Sequence, residues 1–344
     1  MYGGLNYPFL STSVAYGATN VALKSSIEAS SNTVIIYGDL NNNELFGARS
    51  LLSFALYNIF PTDNLINSIF SYCNNTIEIS SYTNVKGIYG ANFYLDPKDN
   101  VTLTSSIYLD NNYILFNSSA TVTENVYAAS LALYQVSGSN SNIFNLAYVS
   151  LSNNTVEIKE NINCGAISTA RLHFAELSDS QTIEDLSITN NKIILSKDAL
   201  DLSTTALSAY LNYYNVDVNN ANISNNTLQI NNAKNVLVGS IHNFDTFSFN
   251  LPTNLSNYNT ILTLISQPQE DNILVDAHKL FIYNYDHHTS TLTVNLIDAL
   301  SAGGPIDLSN TNGSYLYDHT RTQLEVKNNK LIFTFDPTIA PSPA

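Results

Sequence analysis

Apolar and polar positions alternate along this chain in short runs, and one run recurs six times. It reads "SSNTVII" from residue 30, "CNNTIEI" from 73, "DNNYILF" from 110, "SNNTVEI" from 152, "TNNKIIL" from 189 and "SNNTLQI" from 224. Aligned on the polar pair, Asn32, Asn75, Asn112, Asn154, Asn191 and Asn226 share one slot, at intervals of 43, 37, 42, 37 and 35 residues. Two positions later stand Val34, Ile77, Ile114, Val156, Ile193 and Leu228; four later stand Ile36, Ile79, Phe116, Ile158, Leu195 and Ile230. All are large and apolar. The position between them is mixed: Ile35, Glu78, Leu115, Glu157, Ile194 and Gln229. Alternation with a period of two predicts a strand with one face in a core and the other turned outward.

A second recurring slot follows each strand: "LFGARSL" at 45–51, "IYGANF" at 88–93, "VYAASL" at 126–131, "CGAIST" at 164–169, "TTALSA" at 204–209 and "LVGSIH" at 237–242. Each holds a small residue among apolar ones. "MYGG" at the start and "AYGATN" at 15–20 look like two further copies. Met1 running directly into such a copy suggests a chain cut from something longer. Strands that recur at a spacing of 20–50 residues, none able to bury its face alone, mark a solenoid. The alternation, the β-branched residues and the Asn pairs disfavour helical repeats. A three-sided coil with short strands takes roughly 20 residues at about 3.3 Å each. Each repeat is therefore two short coils, or one coil with a long excursion.

Asn suits such a corner for two reasons. It adopts the left-handed conformation more readily than other residues apart from Gly. Its amide can also bond to an identical amide on the neighbouring coil, forming a ladder. Near residue 243 the pattern changes, and strand-like runs without the Asn slot continue at 279–285, 291–297, 315–326 and 329–335. The expected organisation is all-β: a right-handed parallel β-helix over 1–250, a β cap over 251–336 covering its open edge, and a disordered tail over 337–344.

Composition narrows the function. Acids outnumber bases 28 to 13, giving a formal charge of −15, while Asn supplies 49 positions. Such a charge repels phosphate backbones, so nucleic acid is not an expected partner. No apolar run is long enough to span a bilayer as a helix, and "MYGGLNYPFL" lacks the layout of a signal peptide. The only cysteines, Cys73 and Cys164, fall in different slots, which disfavours a disulfide or a structural metal site.

The "NNTVEI … IYGA" alternation, followed by "NVLVGSIHNFDTFSFNLPTNLSNYNTILTLI", resembles the passenger of bacterial type V autotransporters of the self-secreting kind. In that family, "NxVxI … YGG" repeats form a right-handed β-helix, and an "NFxxYxFxLP" segment leads into an autochaperone-like cap. The chain departs from the family in glycine: it has only 13, and "YGG" is intact only at Tyr2-Gly3-Gly4. The resemblance implies a signal peptide upstream, an outer-membrane barrel downstream, and exposure on, or release from, a Gram-negative cell. The repeat, the cap-like segment and the lack of a catalytic constellation point to a monomeric adhesin that binds a host glycan or protein, with a structural stalk displaying a distal head, or a polysaccharide-degrading β-helix enzyme, as the alternatives.

Candidate chemistry is sparse, and catalysis, cofactors and metal are not expected. Glu78 and Glu157 are the only acids in the outward slot, with Leu115 between them. At about 4.8 Å per coil they would stand roughly 10 Å apart if each repeat is one coil. That is too far for the paired carboxyls of glycoside hydrolysis. Asp96 with Asp99, and Asp198 with Asp201, read as solvated loop acids. His287 and His288 would point to opposite faces of a strand unless they occupy a turn. No Gly-x-Ser-x-Gly, Walker loop or dinucleotide fingerprint occurs. The longest repeat carries an insert, "ALYNIFPTDNLINSIFSY" at 55–72, whose apolar residues no strand slot requires. Long loops on regular scaffolds tend to carry function. Tyr57, Phe60, Asp63, Phe70 and Tyr72 are accordingly the expected contacts to a partner.

Overall fold

The computed structural model describes residues 22–23, 26–28, 30–38, 44–54, 64–97, 101–134, 143–175, 181–213, 216–268, 271–300, 306–311 and 320–341. The two N-terminal copies of the repeat lie outside them, apart from Ala22 and Leu23 just beyond the second. Strands stack in parallel into a β-solenoid. Eight short strands, from Thr33–Ile36 through Thr76–Ile79 and on to Thr246–Asn250 and Leu280–Tyr283, form one continuous parallel sheet, the ladder sheet. Thr33 pairs with Thr76, Thr76 with Tyr113, and Tyr113 with Thr155. Each repeat is therefore one coil. The extra residues go into a second sheet of long strands, including Ile88–Pro97, Ala120–Tyr134 and Ile162–Ala175, the longest of which has 15 residues.

The Asn pair divides its labour. The first member sits in the left-handed region, with φ of 60° at Ser31 and 59°, 57°, 58°, 57° and 59° at Asn74, Asn111, Asn153, Asn190 and Asn225. The second member turns inward and is buried in every described coil from Asn75 to Asn226. There Asn75 Nδ2 donates to Asn112 Oδ1 at 2.9 Å, Asn112 Nδ2 to Asn154 Oδ1 at 3.1 Å, and Asn191 Nδ2 to Asn226 Oδ1 at 3.0 Å. The other Nδ2 hydrogen reaches a main-chain carbonyl, Tyr72 O for Asn112 and Leu109 O for Asn154. Ladder and corner together satisfy polar groups that would otherwise be orphaned in the core. Asp245 ends the ladder: its carboxylate accepts from Asn226 N at 2.7 Å and Asn225 N at 2.9 Å, and Lys279 neutralises it at 2.9 Å. A carboxylate has no N–H to pass on, so the relay stops there.

The small-residue slot marks a crossing. Each long strand serves two cores. Ile88, Val126, Ala128 and Ile167 join the ladder-sheet residues in the first, while Ala91, Phe93, Leu95, Ala129, Leu131, Leu133, Ala170 and Leu172 join the second. The parity of the inward residues switches at Gly90, Ala128, Thr169 and Ala209, which stack on one another. Both faces of the strand are covered at that point, so only small side chains fit.

Among the described residues, the second core contains nothing beyond Val218, and Asp217–Ser224 is the last strand of the third, nine-stranded sheet. The first core runs on to Phe335. Residue 250 is thus no boundary of the parallel stack. Thr260–Leu264, Leu280–Tyr283 and Leu292–Ala299 extend it within the segment expected to be a cap. The closing element is smaller: an antiparallel hairpin, Thr322–Lys327 with Lys330–Phe335, whose Asn328 and Asn329 both have positive φ, as a two-residue hairpin turn of this twist requires. Nor is 337–341 a loose tail. Asp336 Oδ1 accepts from Thr338 N and Oγ1 at 2.9 and 2.6 Å, and Thr320 Oγ1 donates to Ala340 O at 3.0 Å. Residues 342–344 lie outside the described residues.

Candidate functional site: the outer face of the ladder sheet

Two of the five residues expected to touch a partner are core. Phe70 and Tyr72 are fully buried, and Phe70 packs edge-on against Phe93 with ring centroids 4.8 Å apart. Asn64–Ile66 and Ile69–Ser71 are strands of the third sheet, so this half of the insert builds a wall of the second core. Tyr57, Phe60 and Asp63 lie outside the described residues.

The outward slot of the ladder sheet is where side chains of several coils meet solvent. Glu78 and Glu157 flank Leu115, two strand spacings apart. Glu78 accepts from Ser80 Oγ at 2.6 Å and Asn117 Nδ2 at 2.8 Å, and these bonds hold its carboxyl below the usual range. Glu157 is engaged by Lys159 at 3.2 Å and by the Tyr113 hydroxyl. Burial, reinforced by Glu157, raises the Tyr113 phenol. An ionised, hydrogen-bonded carboxylate such as Glu78 is a poor proton donor. The loop acids have local roles: Asp198 accepts from Lys234 N, and Asp201 from Ser203 N. The Asp96 side chain and Asp99 lie outside the described residues. His287 and His288 fall in a turn, and Asp276 caps a short 3-10 turn through His278 N. Among the described residues, no group of three or more His, Cys, Asp or Glu converges on a point. Cys73 and Cys164 are free thiols, and burial pushes Cys164 up to about 11.

Toward the C-terminal coils the same face becomes concave. Three neighbouring strands are in register, with Gln229 beside Ser248 beside Phe281, and Asn231 beside Asn250 beside Tyr283. The middle strand presents the short side chains Thr246 and Ser248 between longer ones on either side. The resulting groove of about 520 Å³ is walled by Lys192 and Gln229 on one side and by Phe281 and Tyr283 on the other. Phe281 and Tyr283 are 37% and 44% exposed, and among the described residues no carboxylate lines the groove. Asn231, Asn250 and Asn284 form a second, external amide ladder at one end. The individual residues were visible in the sequence. The concavity was not, because it depends on which strands become neighbours after the coil shortens to 19 residues between Thr227 and Thr246.

Ser240, His242 and Asp271 form a hydrogen-bonded series that no sequence motif announced. His242 Nε2 lies 2.8 Å from Ser240 Oγ, and Nδ1 lies 3.0 Å from Asp271 Oδ2. Its exposure runs opposite to a hydrolase: the carboxylate is open and the Ser240 end closed. Gln267 meanwhile brackets Ile241 N and O at 2.9 and 3.0 Å. The series, with Gln267, ties Asp271 to the strand Val236–His242, rather than presenting a nucleophile.

Asp110 is a half-buried acid. Burial pushes its carboxyl up, opposed by hydrogen bonds from Ser152 N and Ser150 Oγ, both at 2.7 Å. A carboxyl raised by folding favours the folded state only while protonated and weakens it once ionised. Asp110→Asn keeps the acceptor oxygen and is expected to raise the unfolding midpoint at pH 7. The gain should shrink as pH falls through the carboxyl's titration. Denaturation curves at pH 7 and pH 4 check this, and a variant less stable at pH 7 contradicts the assignment.

These features define the class of the protein: a parallel β-solenoid with two cores, a buried Asn ladder and a polar, aromatic-walled groove on one outer face. Compared with protein-family models, with curated proteins and with solved structures, the chain has no match.

Proposed function

We propose that this chain is the solenoid of a bacterial self-secreting autotransporter passenger. It acts on the cell surface, or after release, as an adhesin that binds a host glycan or protein without catalysis. The observation that carries this is the groove on the ladder sheet, where free polar side chains and exposed rings meet on a rigid support. Binding sites built on regular elements hold their geometry. The repeat order and the "NFDTFSFNLP" segment support the autotransporter part, and sequential stacking of coils suits a chain that folds as it emerges. The engaged, widely spaced Glu78 and Glu157 support a binding role over hydrolysis.

A second reading, a stalk that displays a distal head, is favoured by the uninterrupted eight-strand ladder sheet. Binding of the purified, folded protein to host cells and matrix proteins separates the two. An adhesin binds by itself, whereas a stalk binds nothing and, when coils are deleted from the full-length protein, shortens it without changing affinity.

A further inference from the structure

We infer that the occupant of the groove is a short oligosaccharide lying parallel to the strands, across the solenoid axis, with sugar faces against Tyr283 and Phe281. This rests on the binding reading above and specifies its ligand. Neighbouring strands are about 4.8 Å apart, so the Gln229 and Phe281 rows stand roughly 10 Å from each other over the Ser248 floor. That width admits one extended chain. The floor spans Thr246–Asn250, about 15 Å at the usual rise per residue, which suits several linked sugars better than one.

The chemistry of the walls selects among extended chains. A peptide gains affinity by adding a strand to a free sheet edge or by filling apolar pockets. Here the main chain of Thr246–Asn250 is already paired on both sides, with Thr227–Asn231 and with Leu280–Tyr283. The floor carries hydroxyls and amides in place of apolar pockets. A sugar offers alternating hydroxyls and flat C–H faces, which match amide and hydroxyl groups beside an aromatic ring. Among the described residues, the side chains of Lys192, Gln229 and Ser248 have no hydrogen-bond partner, so they stand ready for a ligand. Lys192 is the only charge in the lining, on a chain of net charge −15. The groove therefore accepts neutral sugars and tolerates one acidic group at the Lys192 end.

The test uses the whole chain on an array of defined neutral and acidic oligosaccharides, alongside Tyr283→Ala, Ser248→Trp and Lys192→Gln. Circular dichroism confirms that each variant is folded. Expected results are binding to at least one oligosaccharide, a loss of roughly tenfold in Tyr283→Ala, and abolition in Ser248→Trp, which fills the floor. Lys192→Gln is expected to weaken acidic sugars selectively. Unchanged sugar binding in Ser248→Trp overturns the location. Binding to host cells with no oligosaccharide bound overturns the ligand class and leaves the adhesin reading standing. Binding to neither overturns both.

Discussion

Asn154→Ala is expected to destabilise the solenoid by about 3 kcal/mol or more, while Asn153→Ala, one residue away, costs about 1 kcal/mol. Asn154 Oδ1 accepts from Asn112 N at 2.9 Å and Asn112 Nδ2 at 3.1 Å, and its Nδ2 donates to Leu109 O at 3.0 Å. Truncation strands these groups where both amide side chains are fully buried, each orphaned group costing about 1–3 kcal/mol. Asn153 loses only its ease in the left-handed region, so Asn153→Gly should be near neutral. Denaturation followed by circular dichroism reads the difference. Hydrogen exchange should place the loosening in the coils around Asn112 and Asn191, since solenoid coils are stabilised by their neighbours. Equal losses from Asn153→Ala and Asn154→Ala would remove the division of roles proposed for the pair.

A comparable loss, about 3 kcal/mol, is expected from Gly90→Ala, and a larger one from Gly90→Val. A Cβ at Gly90 would stand 2.4 Å from the Ala128 carbonyl oxygen and 3.1 Å from Asn112 Cβ. The carbonyl belongs to the adjacent strand and the Asn112 side chain to the ladder, so neither can move alone. The damage should therefore reach both cores at once. Gly165 is the control, because its Cβ would meet only Glu124 O at 3.9 Å. Gly165→Ala should leave stability within about 0.5 kcal/mol of the parent, or raise it slightly by restricting the unfolded chain. Thermal melts of the three variants provide the check, and Gly90→Ala melting with the parent would rule out the close crossing.

Of the twelve apolar positions singled out by the repeat, all but Val34 are buried, and Val34 packs against the same core. That part was legible because a strand's side chains alternate by geometry, whatever surrounds it. Within the insert at 55–72, Phe70 and Tyr72 read as contacts for the complementary reason. Its apolar residues fit no slot of a single-core coil, yet Phe70 and Tyr72 fill a second core that the repeat does not spell out. Likewise, the 251–336 segment lacks the Asn slot while its strands as far as Leu292–Ala299 continue the parallel stack, since Asp245 has closed the ladder without closing the coil.

The sequence by itself determined the local rules of this protein: where the chain turns, which residues alternate inward, and that coils repeat. Those follow from φ preferences and from the two-residue period of a strand, both local properties. The tertiary structure alone decided that one repeat is one coil, that long strands divide two cores at Gly90 and Ala128, and that Gln229, Ser248, Phe281 and Tyr283 line one groove. These depend on register between segments 19 to 43 residues apart. Register is set by the packing of the whole stack and by no single segment.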